Sequence, residues 1–416
     1  MMQPKLWNRN FLLAFTGMII SAAGGAGLSI ALSVVVFAET KSTVLSAVFA
    51  ALSMIPQFVL PLVLGPVIDR RNPLKVLVKN EVALAGLFFA AAAFTYFLGF
   101  NYLVYMIFSV LISSFGIVSY LASSSVIPQI MARENYARGN AILNVIYPLC
   151  GIAITPVAMK LFDLYGMPLI LAAYGVTSLI DAALESRIDA KFEFIEAEKT
   201  SLKEYGADLR EGFRYFLNDP AIRSVFLLFA VMSFADAAGN VLTYPFFNLS
   251  ATLNNDQFAL MTSIRSAGYL LGGFLHYFIK IPEKARFPIA ITVYFAFALF
   301  EGAFFFMPFA LMCASRFLLG ILGMNSANIR MSAVQSHVHN RMRAKVNALF
   351  AVLIAAAGTV GQLIAGALGE TLPYWLVQVA FYATYFVGIF VFVMPKRNKV
   401  RELYNYAASE PLTEPA

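Results

Sequence analysis

The pentapeptide Ala137-Arg138-Gly139-Asn140-Ala141 returns 207 residues later as Ala344-Lys345-Val346-Asn347-Ala348. The same offset aligns Gly65 with Gly272, Gly116 with Gly323, Ser119 with Ser326 and Ser125 with Ser332. One gap-free register through four apolar runs reads as an internal duplication. The two copies flank the only long polar stretch of the chain, at about 189–221.

Working outward, each copy is overwhelmingly apolar. The 416 residues are 60% hydrophobic and only 13% charged. Soluble domains carry about 25% charged residues, so this chain has too little polar surface to cover a water-soluble body. Disorder and a disulfide scaffold are excluded as well, since Cys150 and Cys313 each sit inside an apolar run. A spanning helix needs roughly 20 mostly apolar residues. Twelve such runs are read at 11–38, 43–67, 74–98, 102–128, 140–162, 167–188, 222–247, 256–279, 287–307, 309–335, 346–368 and 373–394. Backbone in lipid must satisfy its own hydrogen bonds, so these runs predict an all-α membrane protein. Twelve transmembrane helices would form two pseudo-symmetric six-helix bundles. Parallel six-span repeats of this kind are a transporter signature.

Orientation follows from lysine and arginine, which concentrate in cytoplasmic loops. With the N-terminus inside, twenty-five of the 30 basic residues fall on the cytoplasmic side and only Lys41 and Lys160 fall outside. The charge of +7 is therefore a topology signal, and nucleic acid is not needed to explain it. The chain divides into an N-terminal bundle (1–188), a cytoplasmic linker with an amphipathic helix (189–221), a C-terminal bundle (222–395) and a cytoplasmic tail (396–416). In the linker, Leu209, Phe213, Phe216 and Leu217 share one side of the helix that begins near Ser201. Both termini are expected in the cytoplasm, with the protein a monomer in the inner (plasma) membrane.

The second and third runs are joined by Gly65-Pro66-Val67-Ile68-Asp69-Arg70-Arg71-Asn72-Pro73. This resembles the G-x-x-x-D-R-x-G-R loop of the major facilitator superfamily, with Asn72 in place of a glycine. Pro128-Gln129-Ile130, the repeat at Ala137–Ala141, and Asp208-Leu209-Arg210-Glu211-Gly212-Phe213-Arg214-Tyr215-Phe216 are similar to the drug:proton antiporter branch that contains macrolide efflux proteins. So is the opening Trp7-Asn8-Arg9-Asn10-Phe11. The resemblance implies a major facilitator fold and alternating access. It also implies a conformational latch at Gly65, Asp69 and Arg70, facing Glu134 and the start of the eleventh span. The fifth span departs from the exporter pattern: Pro156 is present, but Met159 stands where a small residue is usual.

Charges deep in a span are expensive and mark function by default. Asp236 and Arg265 lie at similar depth on either side of the turn near Ser250, and Glu301 and Arg316 flank the turn near Pro308. Two acid–base pairs are expected. The resemblance makes the seventh span cavity-lining, so Asp236 is the first candidate for proton coupling and Arg265 its charge partner; a permanent ion pair is the alternative. Glu301 is a second proton-coupling candidate, with a structural bond to Arg316 as the other reading. Arg330, with Asn325 and Asn328, could recognise an anionic or carbonyl group of a substrate, or could snorkel to the interface. Tyr120 on the fourth span and Tyr244 on the seventh are further substrate-binding candidates. Phe234, Phe246 and Phe247 could line an apolar pocket. Glu81, Asp181 and Glu185 fall near the cytoplasmic ends of peripheral spans and read as structural.

No phosphate loop, metal-ligand spacing or hydrolase nucleophile motif is visible, so neither a cofactor nor enzymatic catalysis is expected. The partners are the lipid bilayer, protons and a small-molecule substrate. The expected activity is proton-coupled efflux of lipophilic or drug-like compounds. The alternative is proton-coupled transport of a specific metabolite such as a siderophore, lipid or organic anion, which Arg330 and Met159 favour.

Overall fold

The computed structural model describes residues 6–69, 71–190, 192, 202–278 and 281–405. Its helices are α1 (Arg9–Thr40), α2 (Thr43–Asp69), α3 (Pro73–Leu98), α4 (Tyr102–Val126), α5 (Tyr136–Glu185), α6 (Leu202–Asn218), α7 (Pro220–Leu249), α8 (Asn255–Phe278), α9 (Glu283–Gly302), α10 (Phe309–His337), α11 (Asn340–Gly369), α12 (Tyr374–Gly388) and α13 (Arg397–Asn405). Among the described residues nine helices are long and apolar enough to cross a membrane. One of them, α5, holds two passes, because its helix is broken at Gly166. With α2 and α8 added, these make twelve helical passes in an all-α membrane fold.

Local chemistry explains where the passes begin and end. Asn8, Asn72 and Asn101 each cap a helix, accepting the amide of Phe11, Lys75 and Val104 respectively. Pro73 and Pro220 occupy first helical turns, where a missing N–H costs nothing. Gly166 adopts φ 72°, ψ −171°, a conformation open in practice only to glycine. It reverses the chain between the two arms of α5, and the sequence reading accordingly treats the arms as separate spans.

The chain divides into two compact units. The first comprises Met1–Lys41, Phe49–Leu202 and Asn254–Ser263. Here α1 lies along α5, with Gly27 facing Ala158, and Asn80 of α3 donates to the Phe115 carbonyl of α4 at 3.0 Å. The second comprises Ser42–Val48, Lys203–Leu253 and Ile264–Ala416. In it Ser233 of α7 donates to the Ile354 carbonyl of α11 at 2.9 Å, and Phe234 of α7 stacks on Phe381 of α12 with ring centroids 4.6 Å apart. The sequence reading has residues 396–416 as a plain tail. The structure folds its start into α13, which buries Val400, Leu403 and Tyr404 and joins Tyr404 to Tyr294 of α9 at 2.5 Å. The amphipathic α6 buries Phe216, leaves Phe213 and Leu217 exposed, and pairs Glu211 with Lys345 of α11.

Without water between helices, close packing of small residues holds membrane bundles together. At Gly320 on α10 an added Cβ would meet the Arg265 carbonyl oxygen at 2.8 Å and the Tyr269 nitrogen at 2.9 Å, both backbone atoms of α8. No rotamer can relieve that. Gly320→Ala is expected to cost about 1–3 kcal/mol, read as a lowered thermal unfolding midpoint in detergent. Gly86→Ala, which meets nothing within 4 Å, is the control. Equal midpoints for the two variants would refute this packing.

Candidate functional site

Two cavities hold the buried charge, one in each unit. In the second unit a cavity of about 190 Å³ is walled by Phe229 of α7, Tyr269 of α8, Tyr294 and Phe297 of α9 and Ser326 of α10. Asp236 supplies its one carboxylate. Oδ1 of Asp236 accepts a 2.5 Å hydrogen bond from the Tyr382 hydroxyl of α12. Nearby, Phe234 of α7 stacks on Phe381 of α12, a second contact between the same two helices. A carboxylate in an aromatic cavity, held by one phenol, can keep a proton or meet one cationic group.

The expected pairing of Asp236 with Arg265 is not formed. Arg265 donates instead to the Tyr269 hydroxyl at 3.1 Å, one turn along its own helix, and lies over that ring at 5.5 Å. Depth from a turn brings two residues level, but helix rotation decides whether they face each other, and the α12 phenol reaches Asp236 first.

Glu301 and Arg316 do form an ion pair, at 2.7 Å, with both side chains buried. The Arg316 guanidinium also lies 4.3 Å from the centre of the Phe304 ring, and Gln378 of α12 donates to the Glu301 carbonyl at 3.0 Å. Glu301 lines neither cavity. Buried against Arg316, it is placed to hold helices together.

The remaining candidates separate. Arg330 lies between the Phe229 and Phe350 rings, at 4.6 and 4.4 Å, and its buried Nε has no hydrogen-bond partner. Asn325 donates to the carbonyls of Gly272 and Ile321, so its amide is engaged in helix packing. Asn328 is partly buried and lines neither cavity. Tyr244 is buried, accepts a bond from Asn248 and lines neither cavity. Phe246 stacks on Phe305 and Phe247 is fully buried, so Phe229 takes the lining role expected of them. Tyr120 is 70% exposed and lines the other cavity. In the latch, Glu134 is exposed in a short turn at Arg133–Asn135. Arg70 and the side chains of Gly65 and Asp69 lie outside the described residues.

The other cavity, about 400 Å³, lies wholly in the first unit. Glu81 of α3 and Asp181 and Glu185 of α5 line it. The sequence reading takes these three as unrelated structural acids, and the structure brings them together. A signal was available: Asp181 and Glu185 are four residues apart, hence on one helix face, and Glu81 lies at a similar distance from the same side of the membrane.

Outside the spans, two carboxylates organise helix ends. Asp219 caps α7. Burial pushes its carboxyl up, but the 2.7 Å bond to His337 and the amides of Ile222 and Ala221 outweigh this and hold it below the ordinary 3.8. Glu370 accepts from the Ser42 hydroxyl at 2.6 Å and the Val44 amide at 3.1 Å, which lowers its carboxyl below 4.5. A carboxyl lowered in the folded state stabilises it above the unfolded value and ceases to as pH falls through the folded one. Both carboxylates therefore stay ionised at neutral pH, and their bonds to the helix-end amides weaken only in acid.

Comparison with known proteins agrees with this architecture. The family model described as Major Facilitator Superfamily matches residues 14–253. An uncharacterized MFS-type transporter of Bacillus subtilis (strain 168), YvqJ, is 22% identical over 381 residues, 88% of each chain. Among solved structures, a bacterial homologue of the iron transporter ferroportin in an inward-facing state superposes with a TM-score of 0.69 at 15% identity, covering 94% of this chain and 99% of that one. The nucleoside transporter NupG gives 0.68 at 14%, covering 95% and 99%. The D-xylose-proton symporter gives 0.66 at 14%, covering 94% and 97%. These likenesses establish the fold and leave substrate open. Twelve helical passes, an internal duplication and a family match over more than half its length place this chain in the major facilitator superfamily, as a multi-pass membrane protein built for secondary transport of a small molecule.

Proposed function

We propose that the protein is a proton-coupled exporter of lipophilic small molecules, working by alternating access as a monomer in the inner membrane with both termini in the cytoplasm. The observation that carries this reading is the single carboxylate, Asp236, set in the aromatic cavity of the second unit. Aromatic walls with few polar groups suit bulky apolar compounds. A lone carboxylate there can release its proton when substrate arrives and take one back when it leaves. Gly65, Asp69, Arg70 and Glu134 serve in this scheme as the latch between states.

A second reading rests on Arg330. Its guanidinium is held between two phenyl rings with Nε unpaired, and a carboxylate- or phosphate-bearing metabolite would complete it. The structural neighbours, among them nucleoside, xylose and iron transporters, fit a specific-metabolite carrier equally well.

The test uses purified protein in proteoliposomes loaded with a pH-sensitive dye. Lipophilic cations, macrolides and organic anions are added in turn. Proton movement triggered by the lipophilic compounds is expected. A response confined to one organic anion would replace export of lipophilic compounds by the metabolite reading, and no response to any compound would end the proton-coupled export reading.

A further inference from the structure

We infer that the N-terminal unit carries a binding site of its own for an organic ammonium ion, formed by Glu81, Asp181 and Glu185 around the 400 Å³ cavity.

The first ground is charge without compensation. All three side chains are more than nine-tenths buried, at 3, 5 and 8% exposure, and all three line the cavity. No lysine, arginine or histidine lines it. The second ground is hydrogen-bonding capacity left open. Oε1 of Glu81 accepts from Ser119 at 2.5 Å, and Ser119 in turn accepts from Asn80 at 2.8 Å, so the carboxyl is held in place. Oε2 of Glu81, Oδ1 of Asp181 and Oε2 of Glu185 are buried without a well-formed hydrogen bond, the Ser178 hydroxyl standing near Glu81 and the Ser21 hydroxyl near Asp181. Buried polar groups are nearly always satisfied, and three orphaned carboxyl oxygens at one cavity mark the place of a missing donor. An ammonium group brings positive charge and up to three N–H donors.

The geometry also chooses between kinds of cation. A metal ion would need several of these groups converging on one point. Among the described residues, no three carboxylate, histidine or cysteine side chains lie close enough to hold one. The acids are spread over a wall that encloses space for a drug-sized molecule. Tyr147 and Tyr174 line the same wall, and aromatic rings attract ammonium groups. The groups that face the acids from α1, α4 and the two arms of α5 are neutral: Ser21, Ser119, Asn140, Asn144, Ser178 and the two tyrosines. This site is separate from Asp236, and its test is equilibrium binding, so it stands or falls independently of the export reading.

The experiment is calorimetric titration of the full-length protein in detergent with 2-phenylethylammonium. Uncharged 2-phenylethanol and sodium chloride are the comparison ligands. Saturable binding of the ammonium ion is expected, with 2-phenylethanol and sodium binding at least about tenfold more weakly. Glu81→Gln/Glu185→Gln should weaken binding at least about tenfold, the scale of one lost charge-assisted bond, whereas Asp236→Asn should bind as the wild type does. Equal binding of 2-phenylethanol or unchanged binding by the double variant would overturn the proposal, as would displacement by sodium at concentrations matching the ammonium. If the double variant does not fold, the 2-phenylethanol comparison and the sodium competition on the wild type decide alone.

Discussion

Asp236→Asn is expected to abolish substrate-triggered proton movement while leaving a folded protein. Asparagine preserves the shape of the side chain, and its carbonyl oxygen can still accept the Tyr382 hydroxyl bond that Asp236 accepts at 2.5 Å. What it cannot do is take and release a proton. Positioned proton-transfer groups contribute about 100-fold to 10,000-fold in rate, so coupled flux should fall by at least about 100-fold. Tyr382→Phe removes the donor but keeps the carboxylate. It should cost about tenfold, the worth of one hydrogen bond to a charged group, and should shift the pH dependence of transport instead of eliminating it. The measurement is dye-reported proton movement in proteoliposomes, with thermal unfolding in detergent as the check on folding. Wild-type proton movement in a folded Asp236→Asn protein would remove Asp236 from the coupling role.

The second large effect is on stability. Glu301→Ala should destabilise the protein by about 3–5 kcal/mol, because it strands the buried guanidinium of Arg316. Whole-protein stabilities are commonly about 5–15 kcal/mol, so one substitution removes a large share. The Phe304 ring beneath Arg316 offsets little of that loss, since a cation–π contact is worth about 0.5–2 kcal/mol. Replacing both partners, as Glu301→Leu/Arg316→Met, leaves no charge behind and should recover much of the loss. Unfolding midpoints of the two single variants and the double variant close the cycle. A Glu301→Ala protein that unfolds like the wild type yet fails to move protons would return Glu301 to the coupling role.

Much of the candidate site was legible in the sequence, and the misses have a common cause. Asp236, Glu301 and Arg316 stood out because charge deep in an apolar run is rare and costly. Arg265 stood out for the same reason, but its partner was misassigned. It bonds Tyr269 within its own helix, and Asp236 bonds Tyr382, 146 residues away in the chain. Tyrosines on apolar helices carry no mark that separates a bonding phenol from lipid-facing filler. The four-residue spacing of Asp181 and Glu185 puts those two on one helix face, but that Glu81 of α3 meets them is seen only with the helices assembled.

By itself the sequence determined the membrane class, the helical passes and the duplication. These depend on run length, repeat register and loop charge, which are legible along the chain, and the passes are helical because bare backbone in lipid is costly. The tertiary structure alone decided which side chains share a cavity. That depends on how far each helix rotates about its own axis, and the rotation is set by contacts such as the stacking of Phe234 on Phe381 and the close approach at Gly320. Packing energy is summed over neighbours that are distant in the chain, so the partners of Asp236 and the meeting of three carboxyl groups could be read only once the helices were assembled.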